Sequence, residues 1–397
     1  MVLAFWVGIF ILFYTFIGYG ILLYLLVKIR RAIKGRRLPE RDTSNLPSLT
    51  LIVAAYNEEK VIGDKILNTF SLDYPPDKCS YIFITDGSSD DTPEIIARYT
   101  EIKLMHREER KGKVSAIHRA MQEVTSNIVV FTDANTMLNK DALLNIAKHY
   151  SDQTVGAVAG EKRVSVSENS DATAGEGVYW KYESFLKKLD SELYSVVGAA
   201  GELFSIRTKL YQPVKADTIL DDFMISLLIA SEKYRVTYEP DAYAVENGSA
   251  NTKEELKRKV RIAAGGIQSI IRLKKLLNPF LYPVLSFQYI SHRVLRWTIA
   301  PYCLLAIFVL NIIIVLQDNM AIYTFLLLGQ VLFYLGAITG WLFESRQIKL
   351  KLFFVPYYFC FMNYAVLKGI ARYFSKKQSA AWEKAERKQH APPTPLP

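Results

Sequence analysis

Residues 48–70, SLTLIVAAYNEEKVIGDKILNTF, join a β-favouring run to a segment with the apolar spacing of an amphipathic helix. The same alternation continues to residue 133 through YIFITD, TPEIIARY, IKLMH, GKVSAIHRAMQEV and IVVFTD. Strands that alternate with helices are typical of βαβ units, whose strands lie parallel in one sheet. We therefore predict an α/β domain over residues 45–252, built as a mostly parallel sheet with flanking helices.

Three of the predicted strands end in clusters of polar residues. The clusters are AYNEE at 55–59, TDGSSDD at 85–91 and TDAN at 132–135. Ligands of open parallel sheets bind outside the carboxyl ends of the strands. We therefore expect the three clusters to be neighbours at one end of the sheet.

The segment FTDANT, residues 131–136, places Asp133 and Asn135 directly after a strand. Taken alone it has two interpretations, because Asp and Asn are also ordinary turn formers. Together with Asp86, these side chains offer hard oxygen atoms, which suit Mg²⁺ or Mn²⁺ shared with phosphate oxygens. We therefore predict a cation and phosphate site at these strand ends.

A basic segment, RKGKVSAIHRAM, begins a predicted helix, with Lys111 and Lys113 on either side of Gly112. Free backbone N–H groups and the helix dipole favour an anion at a helix start, although a solvated basic turn is the alternative. The segment lacks the spacing of a P-loop, and no G-x-G-x-x-G follows the first strand. ATPase and dinucleotide-binding functions are therefore disfavoured.

The apolar residues concentrate near the two ends of the chain. Residues 3–27 contain no charged residue, which is long enough for a helix to cross a hydrocarbon core of about 30 Å. A basic run follows this stretch, unlike in a secretory signal, so we predict an uncleaved anchor. Two further spans are predicted at 297–316 and 322–343, whereas 352–367 is marginal for a span.

The charge of the chain points to a membrane surface as a partner. Lys and Arg total 49 against 39 Asp and Glu, a net charge of +10. The basic residues crowd beside apolar segments, where positive-inside bias and anionic lipid place them, so nucleic acid is not expected as a partner. By the same bias, the region between the first two spans is cytoplasmic. The three cysteines are widely spaced and indicate neither a disulfide framework nor a zinc site.

These patterns divide the chain into five segments. Residues 1–44 form the anchor and its basic flank, and 45–252 form the α/β domain. Residues 253–296 mix basic and apolar positions and are predicted to form interfacial amphipathic helices, with a solvated charged helix as the alternative. Residues 297–375 hold the later transmembrane segments, and 376–397 form a basic, Pro-containing tail. If 352–367 does not cross fully, the tail stays inside, as the charge bias favours.

Seven short motifs occur in a characteristic order: AAYNEE, TDGSSDDT, KGKVSAI, FTDANT, GAAGELFSIR, LDDF and RKVRIAAGG. In this order they resemble the membrane-integrated family 2 glycosyltransferases with a GT-A fold, the group that contains cellulose, hyaluronan and poly-N-acetylglucosamine synthases. The resemblance covers roughly residues 45–270 and the flanking membrane segments. It implies a GT-A type α/β fold together with transmembrane and interfacial helices.

The resemblance also implies which residues bind the nucleotide-sugar donor. The nucleobase and ribose are implied to lie against Ala55, Tyr56, Glu58 and Asp86. Lys113 corresponds to the lysine that contacts the diphosphate. Asp133 opens the D-x-D metal motif for Mg²⁺ or Mn²⁺, and Asn135 replaces the second aspartate of that motif.

The catalytic and acceptor residues are implied in the same way. LDD at 220–222 resembles the T-E-D element, which makes Asp222 the catalytic base, with Asp221 as the alternative. A base is needed to take the proton of the acceptor hydroxyl as the new bond forms. The acceptor side is implied at Gly198, Gly201 and Glu202. Arg261 keeps the arginine of the Q-x-x-R-W motif and suits a phosphate, whereas Arg258 and Ile262 stand in place of its Gln and Trp.

The expected function is an inverting glycosyltransferase that moves a sugar from a nucleotide donor, expected to be UDP-linked and with UDP-GlcNAc as one candidate, to a growing polysaccharide. The alternatives are single transfer to a lipid-linked acceptor and a non-catalytic nucleotide-binding scaffold for a partner subunit. Asn135 motivates the scaffold, whereas the retained Asp86, Lys113 and Asp222 disfavour it. We expect an integral protein of a bacterial inner membrane, in contact with membrane lipid, whose catalytic domain is cytoplasmic.

Overall fold

The computed structural model describes residues 1–35, 45–165, 172–249, 251–318, 320–345 and 351–375. These residues fall into two units. Of the described residues, the sheet unit contains 30–35, 45–165 and 187–254. The helical unit contains 1–29, 172–186 and 255–375.

The described part of the sheet unit holds one eight-stranded sheet. Its strands are β1 (Leu49–Ala55), β2 (Cys79–Thr85), β3 (Ile102–Met105), β4 (Ile128–Asp133), β5 (Thr136–Leu138), β6 (Val155–Ser165), β7 (Leu203–Arg207) and β8 (Arg235–Asn247). They lie in the order β3-β2-β1-β4-β7-β6-β8-β5. The first four strands in this order are parallel, as the βαβ pattern predicts.

The other half of the sheet is mixed. Strand β7 runs antiparallel to both β4 and β6, and β5 runs antiparallel to β8. Strands β6 and β8 are parallel, with a register irregularity after Gly160. The sheet therefore has a parallel half that carries the three polar clusters, and a mixed half that closes beside it.

The helices of the sheet unit follow from apolar residues at helical spacing. They are α3 (Ile62–Phe70), α4 (Thr92–Ala97), α5 (Lys113–Met121), α6 (Ala142–Ala147) and α8 (Asp221–Ser231). Every residue of β1 is buried, because a central parallel strand is covered on both faces. The core between strands and helices includes Leu51, Phe83 and Val130.

The helical unit contains all of α1 (Val2–Phe13) and the part of α2 (Tyr19–Lys34) up to Ile29. A π-helical turn at Tyr14–Gly18 joins the two helices. It also contains α9 (Thr252–Arg272) from Glu255 onward, α10 (Pro283–Tyr289), α11 (Leu295–Trp297), α12 (Ile299–Asp318), α13 (Ala321–Ser345) and α14 (Lys351–Phe374). Helix α7 (Ala172–Leu193) contributes residues to both units.

Three helical segments of this unit are long and apolar enough to cross a membrane: Val2–Lys34, Ile299–Gln317 and Ala321–Glu344. They agree with the three spans predicted from the sequence. Helix α14 does not meet the same criteria within the described residues, and it contains Pro356. The interpretation of 352–367 as marginal for a span therefore stays a prediction.

A buried acidic residue anchors α7 within the helical unit. Glu183 is nearly inaccessible and forms ion pairs with His292, Arg293 and Arg296. Burial raises the pKa of Glu183, but its three basic partners lower it by more, so the carboxyl stays ionised well below its ordinary range. These ion pairs compensate the buried charge of Glu183, which would destabilise the fold if it had no partner.

Candidate functional site

The three polar clusters lie side by side at the carboxyl ends of the parallel strands. Strand β1 is central, with Ala55 opposite Thr85 of β2 and Ala54 opposite Asp133 of β4. Asp86 follows β2 directly, and Asp133 is the last residue of β4. The predicted adjacency of the three strand ends is therefore confirmed.

Asp86 is held by the loop that precedes α5. Its Oδ2 accepts the backbone N–H of Lys111 at 2.9 Å and that of Gly112 at 2.5 Å. Gly112 adopts a left-handed φ of +91°, which glycine accommodates without strain. Among the described residues no hydrogen bond reaches Oδ1 of Asp86, so this oxygen remains available to a ligand.

Gly87 lets this loop approach the next one closely. Its φ is +72°, and its N–H donates to the carbonyl of Arg107 at 2.8 Å. A Cβ at this position would lie 2.6 Å from the Cβ of Arg110. The Arg110 guanidinium in turn stacks 3.9 Å above the ring of Tyr56. Tyr56, Asp86 and Arg110 thus share one corner of the site.

The first polar cluster is tied to the second by hydrogen bonds. Asn57 has a left-handed φ of 53°. Its backbone N–H donates to Ser88 Oγ at 3.1 Å, and its side-chain Oδ1 accepts the N–H of Ser89 at 2.8 Å. The buried Glu58 donates its N–H to Thr92 Oγ1 at 2.8 Å. These bonds fix the turn that follows β1 beside Asp86.

Lys113 and Asp133 form the central ion pair of the site. Lys113 is the first residue of α5, and its Nζ donates to Asp133 Oδ1 at 2.7 Å. Burial lowers the pKa of Lys113, but the nearby carboxylates of Asp133, Asp221 and Asp222 raise it by more, so its pKa lies above the ordinary value. Lys113 therefore stays charged throughout the physiological range.

Asp221 and Asp222 begin α8 next to Lys113. Burial and the Asp221 carboxylate raise the pKa of Asp222 to about 7, while the Lys113 ammonium opposes the rise. Asp221 is buried, and its Oδ2 has no hydrogen-bond partner among the described residues. A carboxylate whose pKa is near neutrality is suited to accept a proton in catalysis.

Gly201 lies next to Asp222 and Lys113, where a side chain would come into contact with both charged groups. A Cβ there would lie 3.3 Å from Asp222 Oδ2 and 3.5 Å from Lys113 Nζ. The bare Cα of Gly201 therefore leaves space next to both groups. Gly198, with a φ of +94°, packs directly against the ring of Phe223 and so fixes the segment against α8.

Glu202 points to a buried lysine of the mixed half of the sheet. Lys162, whose side chain is 3% exposed, forms short ion pairs with both Glu202 and Glu246. The backbone carbonyl of Glu202 accepts the hydroxyl of Thr132 at 2.9 Å. The 198–204 segment is thus joined to β6, β8 and the strand that ends at Asp133.

A metal site was predicted at Asp133 and Asn135. Within the described residues, no group of three or more His, Cys, Asp or Glu side chains is placed to hold a cation. Asp133 and Asn135 nevertheless supply the hard oxygen atoms that Mg²⁺ or Mn²⁺ prefers, and such ions often take only one or two protein carboxylates plus substrate phosphates. The residues therefore fit a cation that is bound together with a diphosphate.

Arg261 lies on α9, in the helical unit. The Nε atom of its guanidinium is buried without a hydrogen-bond partner among the described residues. Its role in donor binding stays a prediction, as do the roles of the other site residues.

Two lysines of the site region were missed in the sequence. Lys162 and Lys65 are both buried, and neither belongs to a recognised motif. The position of Lys65 in the helical pattern could have identified it. Lys65 lies on the buried face of α3 with Ile62, Ile66 and Thr69, where an apolar residue is expected.

The sequence of the chain matches a family model and several curated proteins. Residues 50–214 match the glycosyl transferase family 2 model. The poly-beta-1,6-N-acetyl-D-glucosamine synthase of Staphylococcus aureus (strain COL) is 26% identical over 275 residues, covering 66% of this chain and 65% of that protein. The match therefore spans just under two thirds of the length of this relative. The synthase of the same name from Staphylococcus epidermidis is 24% identical over 352 residues, covering 84% of this chain and 81% of that protein.

A solved structure supports the fold. The mannosyltransferase from Pyrobaculum calidifontis, in complex with GDP-Man and Mn²⁺, superposes with a TM-score of 0.71 at 23% identity and covers 94% of this chain and 100% of that one. The predicted GT-A type fold is confirmed by this likeness. The family model over residues 50–214, the ordered motifs and the sheet agree, and they identify a domain in this chain that is similar to glycosyl transferase family 2.

Proposed function

We propose that the chain is an inverting glycosyltransferase that transfers a sugar, in the first instance N-acetylglucosamine, from a UDP-linked donor to a growing polysaccharide at the membrane. The observation that carries the proposal is the arrangement around Gly201. Asp222, with its raised pKa, and Lys113, with its ion pair to Asp133, both lie beside the position that a side chain at residue 201 would occupy.

Each charged group has a distinct part in the transfer. The acceptor hydroxyl attacks the anomeric carbon from the face opposite the nucleotide, and its proton passes to a carboxylate oxygen of Asp222. The bond from the anomeric carbon to the diphosphate oxygen breaks as the new C–O bond forms. The Lys113 ammonium then shares its hydrogen bonds between Asp133 and the departing diphosphate, where negative charge develops. A divalent cation held by Asp133 and Asn135 would add Lewis-acid stabilisation of the same diphosphate.

Asp86 supports uridine as the nucleoside. One of its carboxylate oxygens is already occupied by two backbone N–H groups, which leaves the other oxygen for a base. Uracil offers a single N–H on its pairing edge, whereas guanine offers two adjacent N–H donors that a carboxylate binds best with both oxygens. The Arg110 and Tyr56 stack next to Asp86 adds a surface for the base.

A polysaccharide acceptor is supported by the names of the staphylococcal relatives, which are synthases of a polymer. Single transfer to a lipid-linked acceptor is the second candidate. It is favoured by Arg258 and Ile262, which replace the Gln and Trp of the Q-x-x-R-W motif. Product analysis separates the two, because a polymer gives a ladder of lengths and single transfer gives one lipid-soluble product.

The membrane setting is part of the proposal. Three apolar helices fit an integral membrane protein, and the basic run after the first of them favours a cytoplasmic sheet unit. Nucleotide sugars are then available on the same side as Asp86 and Lys113. Membrane lipid and a partner subunit remain proposed partners.

The proposal is tested by UDP release from the purified protein in lipid nanodiscs. A panel of UDP-sugars is supplied with Mn²⁺ or Mg²⁺, with and without chelator, beside an Asp222→Asn variant. We expect release with one sugar, dependent on the cation, and at least a hundredfold lower in the variant, since general-base catalysis contributes about 10²–10⁴-fold. Release that is unchanged in Asp222→Asn would contradict the assignment of the base.

A further inference from the structure

A lysine side chain is buried beneath the turn that carries Asp133 and Asn135. Lys65 is fully inaccessible, on the core face of α3 between Ile62 and Ile66. Its Nζ donates to Thr132 Oγ1 at 3.1 Å and to the backbone carbonyl of Thr136 at 2.6 Å. Among the described residues, no carboxylate is hydrogen-bonded to it.

The two acceptors of Lys65 stand at the two ends of the Asp133–Asn135 segment. Thr132 precedes Asp133, and Thr136 follows Asn135. The hydroxyls of Thr132 and Thr136 also lie 3.0 Å apart, and the Thr136 hydroxyl donates to the Asp133 carbonyl at 2.9 Å. The amine of Lys65 therefore closes a small polar network that fixes the path of the backbone across this turn.

Helix α3 reaches the same segment a second time. Asn68, three residues after Lys65, donates to the carbonyl of Leu138 at 2.8 Å and accepts its N–H at 2.9 Å. Lys65 and Asn68 thus hold residues 132–138 from one face of one helix. The Thr132 hydroxyl also donates to the Glu202 carbonyl, which joins the network to the segment beside Gly201.

Packing alone does not account for a lysine at this position. The neighbouring core positions Ile62 and Ile66 are aliphatic, and burying an amine is costly unless it is hydrogen-bonded. The specific gain from Lys65 is two directed hydrogen bonds. Either protonation state of the amine has enough N–H groups to make both.

We propose that Lys65 is a positioning residue that holds Asp133 and Asn135 in the geometry required to bind a divalent cation together with a nucleoside diphosphate. This inference rests on the proposed function, because the ligand is the one assigned there. Residues that orient metal ligands without touching the metal typically change metal affinity by about 10–100-fold when they are replaced.

The test compares Lys65→Met with the wild-type protein in nanodiscs. The substitution removes both hydrogen bonds of the amine and keeps an unbranched side chain of similar length. Mn²⁺ binding is measured by electron paramagnetic resonance with UDP present, and amide hydrogen exchange is measured over residues 132–138. We expect Mn²⁺ affinity to fall about tenfold and exchange over 132–138 to rise. The thermal midpoint should fall, because two buried hydrogen bonds are lost.

The matched control is Tyr150→Phe, which removes another buried hydrogen bond of the sheet unit, the one between the hydroxyls of Tyr150 and Ser205 at 2.8 Å. It should lower the midpoint and leave Mn²⁺ binding and exchange over 132–138 unchanged. If Lys65→Met does not fold, Thr132→Val tests the same network from the acceptor side, with the same expected loss of affinity.

Two results would overturn the inference while leaving the proposed function in place. One is wild-type Mn²⁺ affinity in Lys65→Met, and the other is unchanged exchange over 132–138. If the wild-type protein itself fails to bind Mn²⁺ with UDP, the proposed function fails, and the inferred role of Lys65 in cation binding fails with it.

Discussion

Asp222 and Asp221 are adjacent carboxylates in a buried place, so their charges interact strongly. Burial and Asp221 together raise the pKa of Asp222 to about 7, against the opposing effect of Lys113, and Glu202 adds a further negative charge. A general base works only when it is deprotonated. The transfer rate should therefore fall as the pH drops through about 7.

An Asp221→Asn substitution removes the like charge beside Asp222. The pKa of Asp222 should then fall, because its charged form is no longer repelled, and the acid limb of kcat/KM against pH should move to lower pH. The measurement is a pH profile of UDP release for both proteins. If both profiles fall at the same pH, Asp222 is not the group that titrates.

The Asp86 carboxylate leads to a prediction about the nucleotide. We expect UDP to bind more tightly than GDP, and Asp86→Asn to weaken UDP binding about tenfold or more, since an amide has a single acceptor oxygen for the Lys111 and Gly112 N–H groups and the base together. Calorimetric titration with UDP and GDP checks both statements. Equal affinity for the two nucleotides would argue against the role given to Asp86.

The residues that the sequence identified are those in polar clusters after strands, because strand ends of a parallel sheet meet in space. Asp86 and Asp133 were recognisable for this reason, and Lys113 was recognisable as a cation at a helix start; the structure brings Lys113 into contact with Asp133. The partners of Lys65 and Lys162 were not recognisable, since each lysine contacts residues distant in sequence. Their partners depend on the packing of α3 and of the mixed half of the sheet.

The segment from Gly198 to Phe204 contains two glycines with different expected sensitivities. Gly198 has a left-handed φ and no room for a Cβ against Phe223, so Gly198→Ala should lower the thermal midpoint by several degrees. Gly201→Ala introduces a Cβ into the space beside Asp222 and Lys113, with contacts of 3.3 and 3.5 Å. It should fold normally yet transfer sugar at least tenfold more slowly.

Thermal unfolding and UDP release, measured on both glycine variants, separate these effects. Nucleotide binding provides the control, because neither substitution touches Asp86. A Gly201→Ala protein with full activity would show that the acceptor does not pass through this space.

The strands of the parallel half were predictable, whereas the antiparallel pairing of β7 was not. Residues 203–207 are a short buried run, and the same apolar pattern suits a parallel or an antiparallel strand. Direction is set by the path of the chain between β6 and β7, which residue periodicity does not encode. The βαβ pattern predicts direction only where a helix connects two consecutive strands.

The number of membrane-crossing helices determines on which side of the membrane the C-terminal tail lies. Three helical segments meet the criteria for crossing, and α14 does not within the described residues. If the region after the first span is cytoplasmic, as we propose, three crossings return the chain to the cytoplasm, and we expect the basic tail to stay there.

Reporter fusions after residue 397 test this prediction. A green fluorescent protein fusion should be bright, and an alkaline phosphatase fusion should be inactive, because that enzyme needs an exported environment. The reverse pair of results would mean that α14 crosses the membrane. A phosphatase fusion after residue 319, between the second and third spans, serves as the positive control.

The Asp86–Gly87 peptide has a consequence for how the protein ages in storage. In an Asp–Gly pair the glycine nitrogen readily attacks the preceding carboxyl, and the resulting succinimide opens mainly to isoaspartate. Here the Gly87 N–H donates a hydrogen bond to the Arg107 carbonyl at 2.8 Å. The Asp86 carboxyl in turn accepts hydrogen bonds from two backbone N–H groups. Damage therefore requires a local opening of this loop. A bound nucleotide should slow the appearance of isoaspartate, since it favours the closed loop.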